Sequence, residues 1–215
     1  MDFAVIGIGR FGSSVVRTLY EMGHHVLAID KDEDALRKVA DYCTHVIQLD
    51  STDPEALRAV GITNFDAVVV SIGANVEESI LTTLLLKELG CKKVWSKAAE
   101  ELQARVLEKV GADLVIRPER DMGVRVAHSL ASPHVVDLLM LSPTYLVEEV
   151  TVGNKIAGKN LGELALHTRT GIKVLLVKRD SQIIVAPGGE TELQAGDVLI
   201  VVGSKEQLGR LESVL

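Results

Sequence analysis

The sequence predicts a parallel, doubly wound α/β sheet followed by a small α+β module. Three observations predict it. A G-x-G-x-x-G turn (Gly7, Gly9, Gly12) joins an apolar strand to a helix. Strand and helix patterns then alternate to about residue 131, and from Tyr145 onward short β-rich segments replace them. The expected organisation is a Rossmann-like nucleotide-binding domain over residues 1–131, a linker or crossover over 132–144, and a C-terminal domain over 145–215.

The elements follow in order. Phe3 to Ile6 reads as a buried strand, Arg10 to Met22 as a helix stopped by Gly23, and Val26 to Ile29 as a second strand. The third strand, His45 to Leu49, ends in Asp50-Ser51-Thr52-Asp53. Pro54 then suits the first turn of a helix capped by Thr52 or Asp53. Ala67 to Ile72 is apolar enough to be buried on both faces, as a central parallel strand should be. A helix from about Val76 to Leu89 stops at Gly90, and Lys93 to Lys97 forms the fifth strand. A helix over 99–110 stops at Gly111, and Leu114 to Arg117 forms the sixth strand. Such alternation, with right-handed crossovers, makes one sheet with helices on both faces. Beyond the apolar stretch Val135–Leu141, strands are expected at Leu146–Val152, Lys173–Lys178, Gln182–Val185 and Asp197–Val202. Short helices are expected at Leu161–Leu166 and Lys205–Val214. About 70 residues make a marginal isolated core, so this module is expected to pair with another copy.

The first turn carries the chemistry. Gly7 permits a tight bend, Gly9 lets backbone approach a pyrophosphate, and Gly12 lets the helix lie close to the strand. The free N–H groups of the first helical turn suit phosphate oxygens. Asp30 stands 18 residues after Gly12, at the end of the second strand, where a carboxylate accepts from ribose hydroxyls. The competing reading is a glycine-rich turn without a ligand, but strand, helix and acid all agree with an adenine nucleotide. Arg10 lies inside the turn, where a guanidinium can pair with phosphate oxygens. Lys31 can reach phosphate or ribose, or can be an ordinary solvated lysine. Ser71, Gly73, Ala74 and Asn75 end the fourth strand at the carboxyl edge where ligands of open α/β sheets bind, and Lys97 ends the fifth at the same edge.

Composition narrows the function. Hydrophobic residues make up 47% and charged residues 25% of the 215, with a net charge of −7. That balance argues against nucleic acid or anionic lipid as the main partner, and it offers no basic DNA-reading helix for a nucleotide-sensing repressor. No apolar run approaches the roughly 18 residues of a membrane span, and Met1-Asp2-Phe3 begins no signal-peptide pattern. Cys43 and Cys91 fit neither a metal spacing nor a disulfide framework, which points to the cytosol. An NAD-dependent oxidoreductase shares the fingerprint. However, no His–Asp or Lys–Tyr arrangement suggests hydride transfer, and the C-terminal module is small and β-rich for a substrate domain.

The segments Ala4–Gly12, Met22–Asp30, Ile72–Asn75, Leu81–Leu89, Val106–Asp113 and Pro118–Gly123 together resemble the RCK-domain regulatory subunits of the Ktr and Trk potassium-uptake systems. The Gly9-Arg10-Phe11-Gly12 loop and the Pro118-Glu-Arg-Asp-Met-Gly123 segment are the most specific parts. The resemblance implies a non-enzymatic gating subunit with an RCK N-terminal and an RCK C-terminal domain. Such subunits form homodimers that gather into an octameric ring. The ring sits at the inner face of the plasma membrane, docked to a separate ion-translocating protein. ATP and ADP compete for the site and favour different ring shapes, and NAD or NADH can use the same pocket.

By the same resemblance Arg10 reaches the terminal phosphate, Phe11 belongs to the phosphate loop, and Asp50 and Ser51 meet the adenine edge. Helix capping is the alternative at these last two residues. Glu119 is implied to help hold a divalent cation such as Mg²⁺ beside the ATP phosphates; a carboxylate favoured by a helix N-terminus is the alternative. Several relatives bind cyclic di-AMP in the C-terminal half through an arginine, an asparagine and a proline. Here His167 and Lys173 stand at the first two positions, and only Pro187 matches.

Overall fold

The computed structural model describes residues 1–131, 135–142, 144–212 and 214, and only the backbone at 128, 135–138, 140 and 212. The chain divides into two units, Met1–Arg120 and Asp121–Leu215. In the first unit β1 (Asp2–Ile6), α1 (Arg10–Glu21), β2 (His25–Asp30), α2 (Glu33–Arg37) and β3 (His45–Gln48) come first. Then follow α3 (Pro54–Ala59), β4 (Ala67–Val70), α4 (Val76–Glu88), β5 (Val94–Lys97), α5 (Glu101–Lys109) and β6 (Leu114–Ile116). All strand pairs are parallel, in the order β3-β2-β1-β4-β5-β6. The order reverses between β1 and β4, which opens a crevice at their carboxyl ends.

Period-two alternation of apolar residues builds a core on each face of this sheet. Ala4, Ile6, Leu27, Ile29, Val68 and Val70 point one way, to Leu57 of α3 and Leu86 of α4. Val5, Val26, Ala28 and Val69 point the other way, to Val16 of α1 and Leu36 of α2. Asp53, rather than Thr52, caps α3, its side chain accepting from the Glu55 N–H at 2.9 Å with Pro54 in the first turn. The short α2 has no counterpart in the sequence analysis. Its cap, Asp32, accepts from the Asp34 N–H at 2.9 Å.

Helix α4 is inverted relative to an ordinary surface helix. Its buried positions are Ser79, Thr82, Thr83 and Leu86, whereas Val76 and Leu81 lie exposed. Hydroxyl bonds satisfy the buried side. Thr82 meets Ser51 at 2.9 Å, Thr83 meets Ser96 of β5 at 2.8 Å, and Gln103 of α5 donates to Ser79 while accepting from the Ala99 N–H. No buried side-chain polar atom among the described residues lacks a partner, which is what a polar seam requires to be stable.

Helix α6 (Pro118–Ala131) starts in the first unit and runs past the division. The second unit then holds β7 (Val135–Met140), β8 (Tyr145–Thr151), α7 (Leu161–Leu164), α8 (Leu166–Thr170), β9 (Lys173–Arg179), β10 (Gln182–Val185), β11 (Val198–Ser204) and α9 (Lys205–Glu212). Its sheet is antiparallel, in the order β10-β9-β11-β8-β7. Much of the stretch expected as a linker over 132–144 is therefore strand β7, while residues 132–134 and 143 lie outside the described residues. The helix expected over Leu161–Leu166 is split at Ala165, whose φ of 47° is left-handed. The core is formed by Leu146 and Val150 of β8, Leu199 and Val201 of β11, Val177, Ile172 and Leu208.

One ion pair braces this unit. Asp197 is 2% exposed and accepts from Arg179 Nε and Nη2 at 2.8 and 2.7 Å, and from the Gln194 N–H at 2.8 Å. The Arg179 guanidinium, followed by burial acting in the opposite sense, holds the Asp197 carboxyl below its usual range. A depressed folded value means that the contribution is complete above the unfolded carboxylate value of about 4 and is lost as pH falls through the lower folded value. Asp197→Ala should destabilise the C-terminal unit by about 2 kcal/mol at neutral pH by leaving the Arg179 Nε–H and the Gln194 N–H without their carboxylate acceptor. Asp197→Asn should flatten the acid limb of a melting-temperature profile below about pH 4.

Candidate nucleotide-binding site

The crevice between β1 and β4 is built around three glycines with different surroundings. Gly7 has a φ of 90°, and a Cβ there would stand 2.9 Å from the Ile72 backbone nitrogen. A Cβ at Gly12 would run into the Gly7 carbonyl and reach 2.5 Å from Ser71 Oγ. These two glycines let α1 lie directly on the ends of β1 and β4. Gly9 has no atom within 4 Å of a Cβ position, so no contact of the chain explains its lack of a side chain. It immediately precedes α1 as the N-cap residue, where the first N–H groups of a helix lack intrahelical partners.

The rest of the turn is tied down by backbone groups. The Gly7 N–H donates to the Ile29 carbonyl at 2.9 Å, and the Ser71 N–H to the Ile6 carbonyl at 2.7 Å. Ser71 Oγ donates to the Gly7 carbonyl. Asp30 accepts from the Ile8 N–H at 2.6 Å through one oxygen and from the Asp32 N–H at 2.9 Å through the other. Its carboxylate is thus anchored to the glycine turn with lone pairs left on both oxygens for hydroxyl donors. Phe11 packs half-buried against the α1-side core, while Arg10 is exposed at the start of α1.

The other expected site residues divide into two sets. Gly73, Ala74 and Asn75 are exposed on the turn after β4, and Asn75 caps α4 by accepting from the Glu78 N–H at 3.2 Å. Lys97 Nζ lies beside this turn, 3.7 Å from a Cβ position at Gly73, and donates to Glu119 Oε1 at 2.6 Å. That bond, ahead of a more distant contribution from Arg10, holds the Glu119 carboxyl below its usual range. Lys31 donates to Glu78 Oε2 at 2.7 Å, which raises its ammonium above the usual range.

Asp50 and Ser51 have structural duties in this chain. Asp50 accepts from the Thr52 N–H and Oγ1 at 2.9 and 2.7 Å, which closes the turn and lowers its carboxyl. Ser51 is buried against Thr82. Glu78, half-buried at the crevice, is a site neighbour that sequence reasoning missed; its signal was a carboxylate three residues after the Asn75 cap.

The TrkA-N domain matches residues 3–118 and the TrkA-C domain residues 147–215. Over 211 residues the chain is 42% identical to the Ktr system potassium uptake protein C of Bacillus subtilis (strain 168), covering 98% of this chain and 96% of that one. The chain belongs to the TrkA-N/TrkA-C family of Ktr potassium uptake proteins. It is also 43% identical over 207 residues to the Ktr system potassium uptake protein A of Vibrio alginolyticus, covering 96% of this chain and 94% of its relative. Among solved structures, the GsuK channel superposes with a TM-score of 0.74 at 20% identity, covering 99% of this chain and 39% of the channel chain. The GsuK channel bound to NAD superposes with a TM-score of 0.69 at 19% identity, again over 99% and 39%. At these identities the likeness is one of fold: a parallel nucleotide-type sheet followed by a small antiparallel one.

The two kinds of glycine should separate by experiment. Gly12→Ala forces backbone against backbone and should cost about 1–3 kcal/mol or more, lowering the melting temperature. Gly9→Ala should leave stability within about 0.5 kcal/mol, yet weaken ATP, ADP or NADH in calorimetry by filling the crevice. Unchanged ligand binding in Gly9→Ala would remove the phosphate role of this turn.

Proposed function

We propose that the chain is a nucleotide-binding regulatory subunit of a potassium-uptake system, with ATP and ADP competing for the β1–β4 crevice. The observation that carries this reading is Gly9: a glycine with empty surroundings, at a helix N-terminus, beside an Asp30 carboxylate already fixed to the turn. Relatives more than 40% identical over nearly the whole chain are Ktr system potassium uptake proteins, which supports this physiological setting. The NAD-bound GsuK channel supports a second ligand for the same crevice, since Asp30 accepts from the adenosine ribose of NAD(H) as readily as from that of ATP.

In this reading the first-turn N–H groups of α1 and the Arg10 guanidinium hold the phosphates, Asp30 holds the ribose, and the Gly73–Asn75 turn and Lys97 border the polyphosphate. Among the described residues no group of three or more His, Cys, Asp or Glu side chains could hold a metal ion. Glu119 supplies one largely exposed carboxylate. That donor set fits a Mg²⁺ carried in with ATP, which draws on phosphate oxygens and a single carboxylate, and not a resident metal. The cation would neutralise phosphate charge beside Glu119.

The partner is a separate membrane-embedded ion-translocating protein, and the subunits form homodimers within an octameric ring at the cytoplasmic face. Two apolar surfaces support self-association. One is the outer face of α4, with Val76 and Leu81. The other is a stripe on α6 at helical spacing, Met122, Val126 and Leu130. Nucleotide identity acts on the ring because ATP and ADP bind its two shapes with unequal affinity. No helix among the described residues is long and apolar enough to cross a membrane. The His167 and Lys173 substitutions weigh against cyclic di-AMP as a ligand of the C-terminal unit.

Titration with ATP, ADP and NADH, read by melting temperature and by mass of the assembly, tests this reading. Arg10→Ala should weaken ATP by roughly 10- to 100-fold, the size of a lost charge-assisted bond, with little change for ADP. Equal losses for both nucleotides would remove Arg10 as the discriminator. Glu119→Gln should abolish the Mg²⁺-dependent tightening of ATP and leave ADP unaffected; an unchanged Mg²⁺ response would show that the cation is held elsewhere.

A further inference from the structure

Lys97 ends β5 and Glu119 lies in the first turn of α6, at the same carboxyl edge of the sheet as Gly73. Their ion pair is lopsided: the Lys97 side chain is 13% exposed and that of Glu119 is 65% exposed. Packing fixes the lysine, whereas the glutamate reaches in from solvent. The ammonium rests beside the β4–α4 turn, 3.7 Å from a Cβ position at Gly73. A half-sequestered ammonium needs an anion next to it, while a largely hydrated carboxylate loses little when its partner leaves. An arriving polyphosphate therefore competes with Glu119 for one lysine.

Resting on the nucleotide reading above, we propose that the Lys97–Glu119 ion pair senses the terminal phosphate. Without that phosphate Lys97 neutralises Glu119; with it, the Lys97 ammonium turns to phosphate oxygen and Glu119 is released. Lys97 is thus a specificity-determining residue that couples phosphate number to the state of Glu119. Glu119 stands one residue before Arg120, where the first unit ends. The released carboxylate accordingly belongs to the segment through which the chain continues into the second unit.

Competition has a sign that a purely attractive site lacks: removing Glu119 should tighten ATP when no divalent cation is present. ATP is titrated by calorimetry, with divalent cations chelated, into the full chain and its Glu119→Gln, Lys97→Met and doubly substituted forms. Glu119→Gln should bind ATP roughly fivefold tighter than the parent, the size of one exposed-to-half-buried ion pair. The same change in the Lys97→Met background should give no gain. ADP should show no such dependence of one substitution on the other.

Equal tightening in both backgrounds would mean plain relief of repulsion between Glu119 and phosphate, and would overturn the proposal. Unchanged or weakened ATP binding in Glu119→Gln would do the same. If the parent chain binds neither nucleotide, the nucleotide reading itself fails; binding without the coupling removes only the ion-pair exchange. Lys97→Gln, with folding checked by circular dichroism, repeats the cycle should Lys97→Met not fold.

Discussion

The contact of Gly12 with the Gly7 carbonyl and Ser71 Oγ is the constraint on which the first unit rests. It brings three elements together at the point where strand order reverses: the end of β1, the end of β4 and the first turn of α1. Only a residue without a Cβ allows that approach. Once α1 lies there, Gly9 faces empty space, and Asp30 is held by the Ile8 N–H. Close packing and the open surroundings of Gly9 thus have a single geometric origin. The packing is local and the crevice is its consequence.

A second constraint explains how such a site can be linked to assembly. Helix α4 begins at the Asn75 turn of the crevice, buries Ser79, Thr82 and Thr83, and leaves Val76 and Leu81 outside. Hydrogen bonds to Ser51, Ser96 and Gln103 hold it at fixed angles. An apolar interior would tolerate sliding of the helix; directional hydroxyl bonds resist it. These bonds tie the helix to the sheet, and its outer face offers the apolar area that a neighbouring copy would cover in the proposed assembly.

Much of this was legible in the sequence, for identifiable reasons. Gly7, Gly9, Gly12 and Asp30 stand at spacings that follow from one strand, one turn and one helix. The parallel order follows from alternating strand and helix patterns. Short elements were harder to see: α2 is five residues long, and β7 shows its role only through pairing with β8. The fates of Asp50 and Ser51 could not be separated by pattern, because one closes a turn and the other is buried by Thr82, 31 residues away. The Lys97–Glu119 pair spans 22 residues and two elements, a distance at which sequence periodicity carries no information about contact.

In the proposed reading, the placement of charge around the crevice suits a nucleotide sensor. A site that maximised attraction for phosphate would surround it with unpaired cations and would bind every nucleotide tightly. Here Lys31 is matched by Glu78 and Lys97 by Glu119, while Arg10 remains exposed. Matched cations contribute only the difference between phosphate and carboxylate as partners, which is small for a short ligand and larger when a further phosphate reaches them. On that proposal, affinity common to all nucleotides comes from the glycine turn and Asp30, and discrimination from the pairs that would be exchanged. That division of labour is what a population shift requires, since a ligand held equally in both states of an assembly moves neither.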